Sequence, residues 1–370
     1  MAFFLHLCLM GKPNWDFFRR QLLEWYQPER RPMPWKAIEN PYRIWLSEII
    51  LQQTRVEQGL PYYNRFVKQY PTVHDLAAAA DDEVMKTWEG LGYYSRARNL
   101  LKAARMVTNE FGGQFPDTHS GLRALPGVGP YTAAAIASFA FDQQVAVLDG
   151  NVFRILARYA GDTTPIDTGR GRKYFQALVD AALGTAPARQ FNQAIMDFGA
   201  LVCTPKNAGC QVCPLAKHCH ARANNAVYDY PKKEKKLKKR SRFFHYLVIE
   251  TPQSEVVVEQ RKGKDIWQDL YQFPLVETAS ADLPVAKLAV HENWPDWLPA
   301  GQLRFARSSK PYRQQLTHQT IIAVFHRFHW EKPTKDHYEK LIDNNSLNKL
   351  AFPRVITRFL GDKSLLLDLF

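Results

Sequence analysis

The stretch Leu125 to Asn151 reads LPGVGPYTAAAIASFAFDQQVAVLDGN, and its reading decides the fold. Leu125-Pro126-Gly127-Val128-Gly129-Pro130 is a hairpin signal between two helical patterns. Its glycines permit positive φ and let a backbone approach a partner closely. Pro130 suits the first turn of a helix, where a missing N–H costs nothing. The Ala-rich run 131–140 is then a short helix. The loop amides and that helix's N-terminus face outward together, a ready site for a phosphate oxygen. Val145 to Leu148 lead to Asp149, which precedes a helix over 151–159. An anionic side chain at a helix N-terminus is favoured and can cap it. Taken alone, the stretch also fits a plain packed αα-hairpin with a capping Asp.

Working outward, the chain has 370 residues, enough for two domains. Apolar residues make up 46% and aromatics 13%, which allows sizeable cores. A formal net charge of +13 favours a polyanionic partner, because cationic side chains displace the counterions of phosphates. The N-terminus MAFFLHLCLM lacks a basic lead-in and a small-residue cleavage site, so it does not read as a signal peptide, and Met10 is an alternative start to Met1. No stretch is long and uncharged enough to span a bilayer, and the expected place is the cytoplasm.

N-terminal to the hairpin, apolar periodicity predicts helices over 15–26, 42–54, 56–69 and 72–80, with Asp82 capping another over 83–88. Arg30-Arg31-Pro32-Met33-Pro34-Trp35-Lys36 breaks the pattern as a basic, proline-rich loop. Glu48 is the single acid within SEIILQQT (47–54). A Glu in apolar surroundings has a raised pKa and can donate a proton near neutral pH. LGYYSRARNL (91–100) is a tight turn into a basic helix. Beyond the hairpin, helices are expected over 174–183 and 190–201. Cys203, Cys210, Cys213 and Cys219 follow, spaced 6-2-5, with Lys206 and Lys217 among them. In a reducing compartment such a cluster implies metal. Thiolates suit zinc and iron–sulfur clusters alike, and four sulfurs do not by themselves choose.

The charge run 230–240 reads as a linker. After it the pattern turns β: alternating, β-branched runs over 243–250 and 255–261, joined by a turn at 251–254, and a strand over 320–328.

LPGVGPYTA and LDGNVFR, with SEIILQQT, LGYYSRARNL and the four-cysteine loop, resemble the helix-hairpin-helix DNA glycosylases of base excision repair similar to endonuclease III. Members that cleave the DNA backbone usually carry a lysine nucleophile where Tyr131 stands, and a tyrosine resembles the adenine DNA glycosylase (MutY-like) branch. The resemblance spans roughly residues 14 to 350. It implies a mainly α N-terminal glycosylase domain (12–225) with an endonuclease III-like [4Fe–4S] loop. A basic linker (226–241) and an α+β Nudix-like C-terminal domain (242–370) complete the chain. Trp267 to Pro274 resembles the W-x-x-L-(W/Y)-x-F-P segment of that fold, and no box of clustered glutamates follows, so no triphosphate-hydrolysing metal site is expected.

By the same resemblance Glu48 is the acid and Asp149 stabilises sugar charge, with Tyr131 and Asn151 supporting the site. Gln53 enters the base stack and Tyr93 wedges beside the extruded base. The hairpin Gly127, Val128 and Gly129 grips the backbone. Arg31 and Lys36 lie on the segment that lines the DNA-facing pocket, Lys36 in place of the family's usual Arg. Leu316, Thr317 and His318 stand where the family often has Phe-Ser-His, at the loop that checks for 8-oxoguanine; with Leu for Phe, hydrogen bonding rather than stacking is expected there. The partner implied is double-stranded DNA holding adenine opposite 8-oxoguanine or guanine, met by a monomer in the nucleoid. Two competing readings are a bifunctional glycosylase-lyase of the endonuclease III type, which needs an amine nucleophile, and a non-catalytic damage sensor, which would not need Glu48 and Asp149 together.

Overall fold

A computed structural model describes residues 13–234, 239–333 and 340–362. Cys8, both candidate starts and part of the basic run, 235–238, lie outside the described residues. The chain divides into two compact units, residues 1–77 with 102–236, and residues 78–101 with 237–370.

The first unit is helical. Asn14 caps the helix Trp15–Trp25 by accepting from the Phe17 amide at 2.9 Å, and that helix buries Phe18 and Leu22. Asn40 caps Pro41–Leu51 in the same way, with Pro41 in the first turn. This second helix is apolar nearly all round, so almost every side chain from Tyr42 to Ile50 is buried. It packs on Pro130–Phe141, whose alanines let the two backbones come close. The expected continuation of Pro41–Leu51 to Thr54 does not form. Gln52 leaves the helix with ψ 115° and Gln53 turns left-handed at φ 55°. Gly150–Ala160, Gly169–Leu183 and Ala188–Leu201 close the core around Phe18, Ile155, Phe175, Phe191 and Phe198.

The second unit carries, among the described residues, a seven-stranded mixed sheet of β1 (Arg240–Glu250), β2 (Glu255–Val257), β5 (Leu275–Thr278), β6 (Leu303–Ser308), β7 (Tyr312–Gln315), β8 (Gln319–Trp330) and β9 (Leu341–Asp343), in the order β6-β8-β1-β2-β9, with β5 paired to β1 and β7 to β8. β1 (Arg240–Glu250) and β8 (Gln319–Trp330) run parallel in the centre, with Tyr246 opposite Phe325. β6 (Leu303–Ser308) and β7 (Tyr312–Gln315) flank β8 antiparallel. Alternation sends Leu247, Ile249, Phe328 and Trp330 into one core. On the opposite face Phe325 stacks on Phe359 of the helix Arg354–Leu360, their ring centroids 3.9 Å apart. The turn expected at 251–254 is present: the Ser254 amide donates to Thr251 O and Ser254 sits at φ 58°.

Two expectations are corrected here. The single strand over 255–261 is split: β2 (Glu255–Val257) pairs β9 (Leu341–Asp343), whereas β3 (Glu259–Gln260) pairs β4 (Tyr271–Gln272) in a separate two-stranded sheet. Val258 between them donates its amide to Lys340 O, which leaves no register common to both pairings. The helix Asp81–Trp88 starts at Asp81 after Ala80, not after an Asp82 cap. Its three acids, Asp81, Asp82 and Glu83, lie in the first turn, where they favour the helix dipole without capping.

Candidate active site

The hairpin is built as its residues dictate. Gly127 sits at φ +77°, which an L side chain adopts at a cost. Gly129 precedes Pro130 as the N-cap of Pro130–Phe141, and a Cβ added there would meet nothing within 4 Å. The loop is therefore open towards solvent at the place expected for a backbone phosphate.

Asp149 is the N-cap of Gly150–Ala160, as anticipated. Its Oδ1 accepts from the Val152 amide at 2.8 Å and its Oδ2 from Asn151 Nδ2 at 2.9 Å. Burial raises the Asp149 pKa, and these hydrogen bonds and the Arg154 charge oppose the rise. Asn151 is itself held, its Oδ1 accepting from Arg154 Nη2 at 2.9 Å. Arg154 also donates to Gly199 O at 2.7 Å and, through Nε, to Cys203 O at 2.8 Å. Gly199 is required at that crossing: a Cβ there would come within 2.6 Å of Asn151 Cβ.

Glu48 is 6% exposed among apolar neighbours on Pro41–Leu51. Burial pushes its pKa up to about 7; a hydrogen bond from Tyr131 lowers it in part, and the Asp149 charge raises it again. The Tyr131 pKa stands well above the usual phenol value, first from burial and then from the Glu48 and Asp149 charges, so its hydroxyl is a fixed donor at neutral pH. Glu48, far away in sequence, thus meets Tyr131, Asp149 and Asn151 in one place. A small cavity of about 30 Å³ beside Glu48 is lined by Arg31, Trp35, Lys36, Gln193, Met196 and Asp197, among others. That space holds a water and not a nucleobase.

Arg31 and Lys36 are turned inward at this cavity. Arg31 Nη1 lies 3.1 Å from Asp197 Oδ1, and Lys36 pairs with Asp197 Oδ2 while donating to Arg31 O at 2.9 Å. Burial lowers the Lys36 pKa and the Asp197 contact partly restores it. Asp197, with 2% of its side chain exposed, was not singled out from the sequence. Its signal was an acid inside the apolar run FNQAIMDFGAL, the same kind that marks Glu48.

Gln53 is exposed, at the left-handed turn already described. In the second unit Tyr93 is another non-glycine residue at positive φ, 48°. The Arg96 guanidinium lies over its ring, 5.5 Å from the centroid, and donates to Gly92 O at 3.1 Å. The Tyr93 hydroxyl hydrogen-bonds the Thr317 hydroxyl. Both line a cavity of about 450 Å³ with Trp267, Leu316 and His318. The Leu316 amide donates to Gln319 O at 2.8 Å, which leaves the Thr317 and His318 side chains exposed at the tip of the turn.

Cys203, Cys210, Cys213 and Cys219 are unpaired and half-buried. Cys213 is pushed up to about 12, by burial first and then by the charges of Cys203, Cys219 and Cys210. The donor set suits a soft metal or cluster. Among the described residues no three metal-binding side chains are drawn into a closed coordination shell. Arg158 Nη1 lies 3.3 Å from Cys203 Sγ, a charge that suits a thiolate.

The fold and site define a helix-hairpin-helix DNA glycosylase. Residues 46–179 match the HhH-GPD superfamily of base excision DNA repair proteins, and residues 245–362 match the NUDIX domain. A thermostable thymine-DNA glycosylase structure superposes with a TM-score of 0.53 at 30% identity, over 57% of this chain and 97% of that one. An adenine DNA glycosylase of Buchnera aphidicola (strain Sg) is 38% identical over 265 residues, covering 70% of this chain and 75% of the relative. The human adenine DNA glycosylase is 35% identical over 348 residues, 78% of this chain and 63% of its own length. The chain belongs to the adenine DNA glycosylase family of base excision repair enzymes. No helix among the described residues is long and apolar enough to cross a membrane.

Proposed function

We propose that the protein removes adenine mispaired with 8-oxoguanine or guanine in duplex DNA, hydrolysing the N-glycosidic bond without cutting the strand. The observation that carries this reading is the protonatable Glu48, with a pKa of about 7, hydrogen-bonded to Tyr131 and in the field of Asp149. A carboxylic acid near its pKa at neutral pH gives up a proton to a leaving base efficiently. Glu48 donates to the flipped adenine, and the bond breaks with positive charge developing on the sugar. Asp149, oriented by Asn151 and the Val152 amide, stabilises that charge. Glu48, then ionised, orients the attacking water. Tyr131 offers a hydroxyl where a lyase needs an amine, so no Schiff base forms.

Gln53, on a turn of positive φ, enters the base stack. Tyr93, also at positive φ, supplies an aromatic wedge for an extruded base. Arg31 and Lys36 border the small cavity beside Glu48 rather than reaching out to phosphates. Thr317 and His318 hydrogen-bond the opposing 8-oxoguanine. Cys203, Cys210, Cys213 and Cys219 would hold a [4Fe–4S] cluster, which when bound stiffens the loop that presents Lys206 and Lys217. The glycosylase domain is assigned to 12–225, the linker to 226–241 and the lesion-reading domain to 242–370, in a monomer acting at the nucleoid.

The test is an excision assay on duplexes with adenine opposite 8-oxoguanine, opposite guanine and opposite thymine. Release of free adenine from the first two, with an intact abasic strand until alkali is added, supports the reading. Release of a pyrimidine instead, or strand scission without alkali, overturns it.

A further inference from the structure

We infer that Gln52 is a positioning residue that ties the strained turn at Gln53 to the phosphate-facing hairpin, so that gripping the DNA backbone and extruding the base are one event; this rests on the function proposed above. Gln52 Nε2 donates to Thr132 Oγ1 at 3.0 Å and to Gly127 O at 3.4 Å. Thr132 is 2% exposed and lies in the first turn of the helix that follows the hairpin. Gly127 is the hairpin residue at φ +77°. One amide thus reaches both the loop and the helix that would bind a phosphate, from the residue immediately before Gln53.

Gln53 needs such a support. Its φ of 55° is the left-handed region, which a non-glycine side chain adopts at a cost and keeps only when its surroundings over-determine it. On the far side Thr54 closes the turn, its amide donating to Leu51 O at 3.1 Å and its hydroxyl to Gln52 O at 3.3 Å. The helix stops at Leu51 because Gln52 is drawn off its axis towards the hairpin, and the side chain at 53 is thereby presented to solvent. A change in the hairpin on meeting a phosphate reaches Gln53 through two hydrogen bonds and one peptide unit.

The experiment uses the full chain with Gln52→Leu, Thr132→Val and the double variant. Three readouts are taken at one fixed salt concentration, on a duplex carrying 2-aminopurine in place of the target adenine, on the adenine duplex itself and on an undamaged duplex. The fluorescence rise of 2-aminopurine reports extrusion, single-turnover excision reports chemistry, and affinity for an undamaged duplex reports backbone grip. We expect each single variant to lose the fluorescence rise and to slow single-turnover excision by about tenfold, with undamaged-duplex affinity held within about twofold. The double variant should be no slower than the slower single one, because both remove the same link. Additive losses, wild-type extrusion in Gln52→Leu, or losses that track the melting temperature alone would overturn the inference. A wild-type protein that extrudes 2-aminopurine but releases no adenine would count against the proposed function and leave the link standing.

Discussion

Tyr131 donates a hydrogen bond to Glu48, and the two residues, on different helices, lie more than eighty positions apart in the sequence. The bond lowers the Glu48 pKa against a larger rise from burial, leaving it at about 7. A general acid with that value works while protonated, so single-turnover excision should fall as pH rises through about 7. Tyr131→Phe removes the opposing hydrogen bond and should move the midpoint of that fall to higher pH. A midpoint unchanged by the substitution would separate Tyr131 from the acid.

The same shift has a sign in stability. Glu48 binds its proton more tightly folded than unfolded, so its ionisation destabilises the fold as pH rises above the unfolded value, and the cost is complete above about 7. Glu48→Gln should therefore raise stability at pH 8, on the order of 3 kcal/mol. It should change little at pH 4, where the wild-type group is protonated in both states. Denaturant melts at the two pH values check this, and an equal effect at both would contradict it.

On the proposed function, Tyr131 also sets the kind of chemistry. Borohydride should trap little covalent enzyme–DNA adduct, and strand breaks should need alkali, because no amine stands at that position. Efficient trapping by purified protein, lost on substituting one lysine, would show a lyase.

Anaerobically purified protein should be brown and carry about four irons per chain. Cys203→Ser should lose the colour. Arg154, which donates to Cys203 O and to Asn151 Oδ1, gives the loss a route to the site, so the variant should also slow excision. One zinc per chain without iron would refute the cluster assignment.

Much of this was legible because the chemistry is local to short runs. The cap at Asp149, the proline at the start of two helices and the acid in SEIILQQT are each readable from spacing and residue type. What escaped depends on contacts across the chain. The end of the helix at Leu51 is set by Gln52 reaching Gly127 and Thr132, which no local propensity encodes. Arg31 and Lys36 look like solvent-facing charges in sequence, whereas Asp197, 166 residues from Arg31, draws both inward. The strand over 255–261 was split by pairing with two different partners, a choice made by β4 and β9 and not by the run itself.

Lesion reading should rest on Thr317 and His318, which stand exposed where the Tyr93 hydroxyl meets Thr317. His318→Ala should narrow the ratio of affinities for adenine opposite 8-oxoguanine over adenine opposite guanine by about tenfold, in line with a hydrogen bond worth about 1–3 kcal/mol. The ratio must be taken at one salt concentration, since basic residues weaken all duplex binding as salt rises. An unchanged ratio would move lesion reading elsewhere in the chain.

The central claim is that Glu48 delivers the proton that releases adenine, and single-turnover excision by Glu48→Gln on a duplex with adenine opposite 8-oxoguanine tests it most directly. A neutral amide keeps the shape and the contact with Tyr131 but has no acidic proton to give. The account predicts near wild-type binding of the duplex with excision slower by about a thousandfold or more. Excision at a rate close to wild type, with binding intact, would contradict it.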